Sequence, residues 1–199
     1  MDGQQLQLLT EIDHQSVDDR LKRGIRTILE AYLSTEGAAL KLSRLLEPSD
    51  CKEYLVYSMR ESTLAGYLYY ERADGDLQNC LCGDAPVSVE GPFLLLKQAY
   101  IAPEYRGEGL GTVGTEAFLQ TAYEHGIETI VVESWIKPND RNSADACEEM
   151  GFEQRYYSES YFDSTQFTIG SSECFHCTEK EGLADCRCAG AIYVKQLSW

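Results

Sequence analysis

Apolar residues recur at three- and four-residue steps between Ser16 and Ser34: Val17, Leu21, Ile25, Ile28, Leu29 and Tyr32. That spacing predicts an amphipathic helix, with Ser16, Asp18 and Asp19 supplying an N-cap and favourable first-turn charge. A second helix is expected over Gly37–Leu46, stopped before Pro48. Tyr54–Met59 and Thr63–Tyr70 are rich in Tyr and Val and read as two strands of a hairpin. Asp74–Pro86 reads as a loop, and Phe93–Ile101 as an apolar strand. Gly107–His125 is entered through glycines and closed by Gly126, which marks a helix. A strand over Glu128–Trp135, a short helix over Asn142–Met150 closed by Gly151, and strands over Glu153–Phe162 and Ala191–Leu197 complete the order. Strands and helices alternate through the second half, so the class is α/β, in a single domain spanning residues 1–199.

The most informative stretch joins the Phe93–Ile101 strand to the following helix. Arg106-Gly107-Glu108-Gly109-Leu110-Gly111 opens that helix. Glycines let backbone approach a ligand closely, and the unsatisfied N–H groups of a helix start bind anions. A pyrophosphate suits such a turn even on an acidic protein, and Arg106 adds a positive charge. The plain alternative is a glycine turn with a structural role only.

A different nucleotide reading competes. Gly109-Leu110-Gly111-Thr112-Val113-Gly114 is a literal G-x-G-x-x-G, and Glu133 follows about 20 residues on, as a dinucleotide site requires. Three features oppose it. The lead-in from Ile101 to Arg106 is long for a tight strand-to-helix turn. The motif follows a hairpin instead of opening a first βαβ unit. Too little chain remains for a doubly wound sheet.

The run from Tyr100 through Ile101-Ala102-Pro103-Glu104-Tyr105 to Gly111 resembles the GNAT superfamily of N-acetyltransferases. It is similar to that family's strand, Pro-x-Tyr/Phe-Arg turn and Q/R-x-x-G-x-G/A pyrophosphate motif. Asn139 to Phe152, ending in Met150-Gly151-Phe152, resembles the family's Asn-containing helix that closes on Gly-Phe. With the element order, the resemblance covers roughly Leu6 to Phe162. It implies a mixed central sheet flanked by helices, with acetyl-CoA lying in a V between two splayed parallel strands, here Phe93–Ile101 and Glu128–Ile136. It implies that backbone near Tyr100 and Ile101 meets the pantetheine arm. Gly107, Glu108, Gly109, Leu110, Gly111 and Thr112 would hold the pyrophosphate beside Arg106. Asn139 or Asn142 would touch the pantetheine or the 3′-phosphate end.

The implied chemistry is direct attack of a neutral primary amine on the thioester, in a ternary complex. It needs a proton acceptor for the amine and a donor for the departing thiolate. Many relatives place a Tyr four residues before the closing glycine as that donor, and Cys147 stands there in this chain. Cys147 is then either a weak donor or a small buried residue, with Tyr156 or Tyr157 as substitutes. For the base, Glu133 lies on the strand beside the expected thioester. Glu104, His14 and His125 are weaker candidates, and water alone can serve.

Charge changes the picture of partners. The chain carries a formal net charge of −16 and a pI near 4.5. Such a field repels nucleic acid and anionic membrane and favours a basic acceptor, unless it reflects a high-salt habitat or only a soluble surface. No apolar run approaches the roughly 18 residues of a membrane span. The polar opening, Met1–Thr10, lacks the pattern of a signal peptide, so a cytoplasmic location is expected. A homodimer is left open.

Eight cysteines are many for a cytosolic chain, and four cluster late. Cys174, Cys177, Cys186 and Cys188 form C-x2-C-x8-C-x-C, within a segment 171–190 between the last two strands. Four thiolates on two knuckles can close a tetrahedral structural Zn²⁺ site, with His176 able to replace one of them. Free thiols or disulfides are the alternatives. This knuckle is not part of the family pattern. Two other functions therefore remain beside N-acetylation: a CoA-binding, zinc-knuckle interaction protein without turnover, and a dinucleotide-binding enzyme.

Overall fold

The helical periodicity after Ser16 becomes α1 (Asp19–Glu30). Asp18, not Ser16, is its N-cap, its carboxylate accepting from the Leu21 backbone N–H at 2.7 Å. The computed structural model describes residues 7–12, 17–33, 35–46, 52–60, 63–136, 143–161, 168–169, 173–174 and 189–198. Helix α2 (Thr35–Leu46) follows, then the hairpin expected from sequence, β2 (Lys52–Arg60) and β3 (Thr63–Asp74). A strand β1 (Gln7–Ile12), outside that expectation, pairs antiparallel with β2.

Strand β4 (Pro92–Ile101) leads through a short 3-10 turn at Pro103–Tyr105 into α3 (Leu110–Glu124). Next come β5 (Thr129–Ile136), α4 (Ser143–Glu149) and β6 (Glu153–Ser158). Two-residue strands β7 (Thr168–Ile169) and β8 (Glu173–Cys174) pair with each other, and β9 (Ala189–Gln196) is last. Gly126 (φ +62°) and Gly151 (φ +74°) end α3 and α4 in the left-handed conformation. Ile127 and Phe152 then bond back to Ala122 and Cys147, the helix stop their glycines announced.

The main sheet has the order β1-β2-β3-β4-β5-β9-β6. It is antiparallel except for β4 and β5, which run parallel. Strand β9 inserts between β5 and β6, so the last strand in sequence lies inside the sheet and β6 forms its edge.

Alternation along the strands builds a core on each face. One face buries Tyr70, Leu94, Ile130, Val132 and Tyr193 with Phe118 of α3 and Cys147 of α4. The opposite face buries Leu64, Tyr67 and Tyr69 under α1 and α2. The same face continues to Phe93, Leu95, Val131 and Ile192, covered by Leu77, Ala85 and Tyr161. Among the described residues no helix is long and apolar enough to cross a membrane.

Candidate active site

Strands β4 and β5 pair only from Phe93–Leu96 to Thr129–Val132. Beyond that point β5 continues with β9 and β4 continues with β3, so the two parallel strands part. The cause is local. Tyr69 pairs with Gln98 and Tyr70 with Leu96, leaving Lys97 as the extra residue of a bulge. A bulge bends its strand and increases the twist. The fork therefore opens at Lys97 and runs to Tyr100 and Ile101. The Tyr100 ring packs between Tyr32 and Tyr67 in tilted contacts, at 5.4 and 5.7 Å between centroids. Tyr67 in turn donates to Gln98 Oε1 at 2.8 Å.

The glycine turn lies at the end of the same strand. Gly107 (φ +79°) and Gly109 (φ +81°) are left-handed, and a Cβ on either would meet no atom within 4 Å. Their glycines are thus required by backbone conformation, and the space in front of them is open. Gly109 is the N-cap of α3 and provides no side-chain cap. The first intrahelical bond is Val113 N–H to Gly109 C=O, so the N–H groups of Leu110, Gly111 and Thr112 precede the ladder. Leu110 is buried and anchors the turn, whereas Glu108, Gly111 and Thr112 are exposed. The exposed Arg106 sends Nε to the Tyr32 hydroxyl at 2.9 Å and lies over that ring, 4.8 Å from its centroid. Tyr32 passes the contact on, donating its hydroxyl to the Ile101 carbonyl.

At the apex of the fork sits a buried carboxylate. Glu133 is the first β5 residue past the β4 pairing, and its side chain is 4% exposed. Its Oε1 accepts from the Cys82 backbone N–H and from the Tyr161 hydroxyl, both at 2.6 Å. Its Oε2 lies 3.9 Å from Lys97 Nζ, and Lys97 also donates to the Cys80 carbonyl. Burial would lower the Lys97 pKa, but Cys82, Glu133 and Glu71 outweigh it and raise the ammonium above its usual value. Burial, then the adjacent Glu133 charge, pushes the Cys82 thiol up to about 12 and the Tyr161 phenol well above its ordinary value.

A profile of the Acetyltransferase (GNAT) family matches residues 23–152, more than half of the chain. The chain belongs to the GNAT acetyltransferase family. No curated protein sequence matches it. Solved structures agree on the fold. An acetyltransferase assigned to the GNAT family from Desulfovibrio desulfuricans aligns at TM-score 0.63 and 13% identity, covering 98% of this chain and 100% of that one. An aminoglycoside 6′-N-acetyltransferase complexed with coenzyme A aligns at 0.60 and 9%, covering 94% and 96%. The ribosomal-protein-S18-alanine N-acetyltransferase of Escherichia coli aligns at 0.57 and 13%, covering 97% and 96%.

In this GNAT enzyme the residues expected at the cofactor turn, Tyr100 through Thr112, come together at the fork and the start of α3. Asn139 and Asn142 lie outside the described residues. The proton-carrying candidates do not converge. Cys147 is 2% exposed, packed in the apolar core on the α3/α4 face, and burial pushes its thiol up to about 12. Alternation places Glu133 on the opposite face, with Val131 and Trp135. Tyr156 shares that face, half-buried, its ring 6.2 Å from Tyr161. Tyr157 is exposed. Tyr32, Lys97, Cys82 and Tyr161 escaped the sequence reading, because nothing local to each residue signals a partner dozens of positions away. Among the described residues no three metal-ligating side chains meet. Of the knuckle, only the backbone of Cys174 is described, in β8; Cys177, Cys186 and Cys188 lie outside the described residues.

Proposed function

We propose that this GNAT acetyltransferase takes acetyl-CoA in the β4/β5 fork and passes the acetyl group to a primary amine. The observation that carries the reading is the alignment of fork and turn on one strand. The pairing of β4 with β5 ends at Leu96, and the same strand leads directly to two left-handed glycines and uncapped helix N–H groups. That arrangement fits an extended arm along β4 with a pyrophosphate at the start of α3, near Arg106. Bound there, the thioester supplies the activated acyl group; the chain's part is to place it and to exclude other geometries.

Glu133 has both donors on one oxygen and a cation beside the other, which supports a latch for the Leu77–Val89 segment over the fork apex. In this reading water removes the amine proton. Cys147, buried in the opposite core, is a packing residue, and Tyr156, half-buried on the face that carries Glu133, is the donor to the departing thiolate. The net charge of −16 supports a basic acceptor and a partner other than nucleic acid. Spacing alone supports a structural zinc at Cys174, Cys177, Cys186 and Cys188, and a cytoplasmic location belongs to the same proposal.

The occupied Glu133 and the buried Cys147 also favour a second reading, CoA binding without turnover. Thermal shift with acetyl-CoA, CoA and NAD(H) on wild type and Arg106→Ala tests the first. Acetyl-CoA should raise the melting temperature, less in the variant; no shift at saturation overturns the reading. Consumption of acetyl-CoA when amines are offered separates turnover from binding alone.

A further inference from the structure

We propose that Tyr32 is a positioning residue for cofactor binding, its hydroxyl aiming the Arg106 guanidinium at the pyrophosphate turn while tying that arginine to the end of β4. The inference rests on the acetyl-CoA reading of the fork and extends it to a residue from another part of the chain. Tyr32 sits just past α1, its backbone N–H bonded to Leu29 C=O at 2.9 Å. Arg106 follows it by 74 positions.

One hydroxyl makes both bonds. It accepts from Arg106 Nε and donates to the Ile101 carbonyl, a combination that a group with one proton and two lone pairs can satisfy at once. No aliphatic or charged side chain of similar size does both. The ring contributes separately, by lying under the guanidinium and against Tyr100. Burial raises the Tyr32 pKa despite the opposing Arg106 charge, so the proton that binds Ile101 is retained.

The choice of nitrogen matters. With Nε committed to Tyr32, the Nη1/Nη2 edge is the one left to face a phosphate in the bidentate manner. Arg106 is exposed, and an untethered exposed arginine loses rotamer freedom on binding. Tethering it beforehand reduces that loss. Ile101 is the last β4 residue paired with β3, opposite Gly66, so the tether also sets the arginine relative to the fork.

The test is a double-mutant cycle on acetyl-CoA affinity, measured by calorimetry with Tyr32→Phe, Arg106→Ala and the double variant. Tyr32→Phe keeps the ring, and its melting temperature reports on folding. It should weaken binding about 5- to 20-fold in the wild-type background and by less than about twofold in the Arg106→Ala background. Arg106→Lys keeps the charge but removes both Nε and the Nη1/Nη2 edge, and should lose at least as much as Tyr32→Phe. Equal weakening in both backgrounds, or none in either, overturns the proposal while leaving the fork reading intact. Wild type that fails to bind acetyl-CoA, or Arg106→Ala that binds as wild type does, overturns the reading of the turn itself.

Discussion

The Tyr161 hydroxyl donates to Glu133 Oε1 at 2.6 Å, joining residues 28 positions apart across the face of the sheet that α1 and α2 also cover. Cys82 N–H shares the same oxygen, so one carboxylate holds both the Leu77–Val89 segment and the chain after β6. Tyr161→Phe keeps the ring and removes one donor from a buried anion. Stability in urea should fall by about 1–3 kcal/mol. An unchanged midpoint would show that the bond contributes nothing net.

Gly190 of β9 makes the same ring testable from the other side. A Cβ there would lie 2.3 Å from Tyr161 Cδ1 and 2.6 Å from Cγ. Gly190→Ala must therefore move the ring, and should destabilise by about 1–3 kcal/mol. The Tyr161 Cβ lies 2.7 Å from the same point, so the background that relieves the clash is Tyr161→Gly, where the second loss should be much smaller. Additive losses would contradict the steric cause.

Gly109 and Gly111 stand two residues apart and should respond in opposite directions. Gly109→Ala forces a side chain into left-handed backbone, costing about 1–2 kcal/mol, without a clash. Gly111 lies within α3, where an added Cβ would rest 3.5 Å from Ile101 Cδ1, an ordinary contact. Gly111→Ala should be neutral or gain up to about 1 kcal/mol. Either methyl enters the proposed pyrophosphate turn, so both should weaken acetyl-CoA binding. Calorimetry read beside thermal melts separates the two effects.

Cys82 and Cys147 predict an alkaline limit. Both thiols are raised from 9.0 to about 12 by burial, with Glu133 and Glu148 adding to the shift. The unfolded chain therefore releases these protons first. Their contribution to stability is full below pH 9 and is lost as pH rises from 9 towards 12. Denaturation midpoints should drop through that window, and Cys147→Ala should flatten the drop by about one proton's worth of slope. Alkylation mapped by mass spectrometry at pH 8 should leave Cys147 unmodified until denaturant is added.

Elemental analysis of purified protein should find about one zinc per chain, and a chelator should lower the melting temperature. A metal-free, fully folded protein ends the zinc proposal without touching the fork.

By itself the sequence determined what short-range physics can encode. Periodicity located α1, and glycines, which take left-handed backbone at little cost, marked the start of α3 and the ends of α3 and α4. The Tyr100–Thr112 run carried the glycine turn and the resemblance to the family. Strand β1 was lost because Leu8 and Leu9 stand side by side in a short run, so period-two alternation does not show. Only the tertiary structure decided the rest: that β9 slips between β5 and β6, that a bulge at Lys97 opens the fork, and that Glu133 is spent on Cys82 and Tyr161. Those outcomes depend on which distant backbone satisfies each strand and which distant donor reaches a buried charge. The same holds for Tyr32, whose place beside Arg106 follows from α1 packing on the sheet and from nothing in its own neighbourhood.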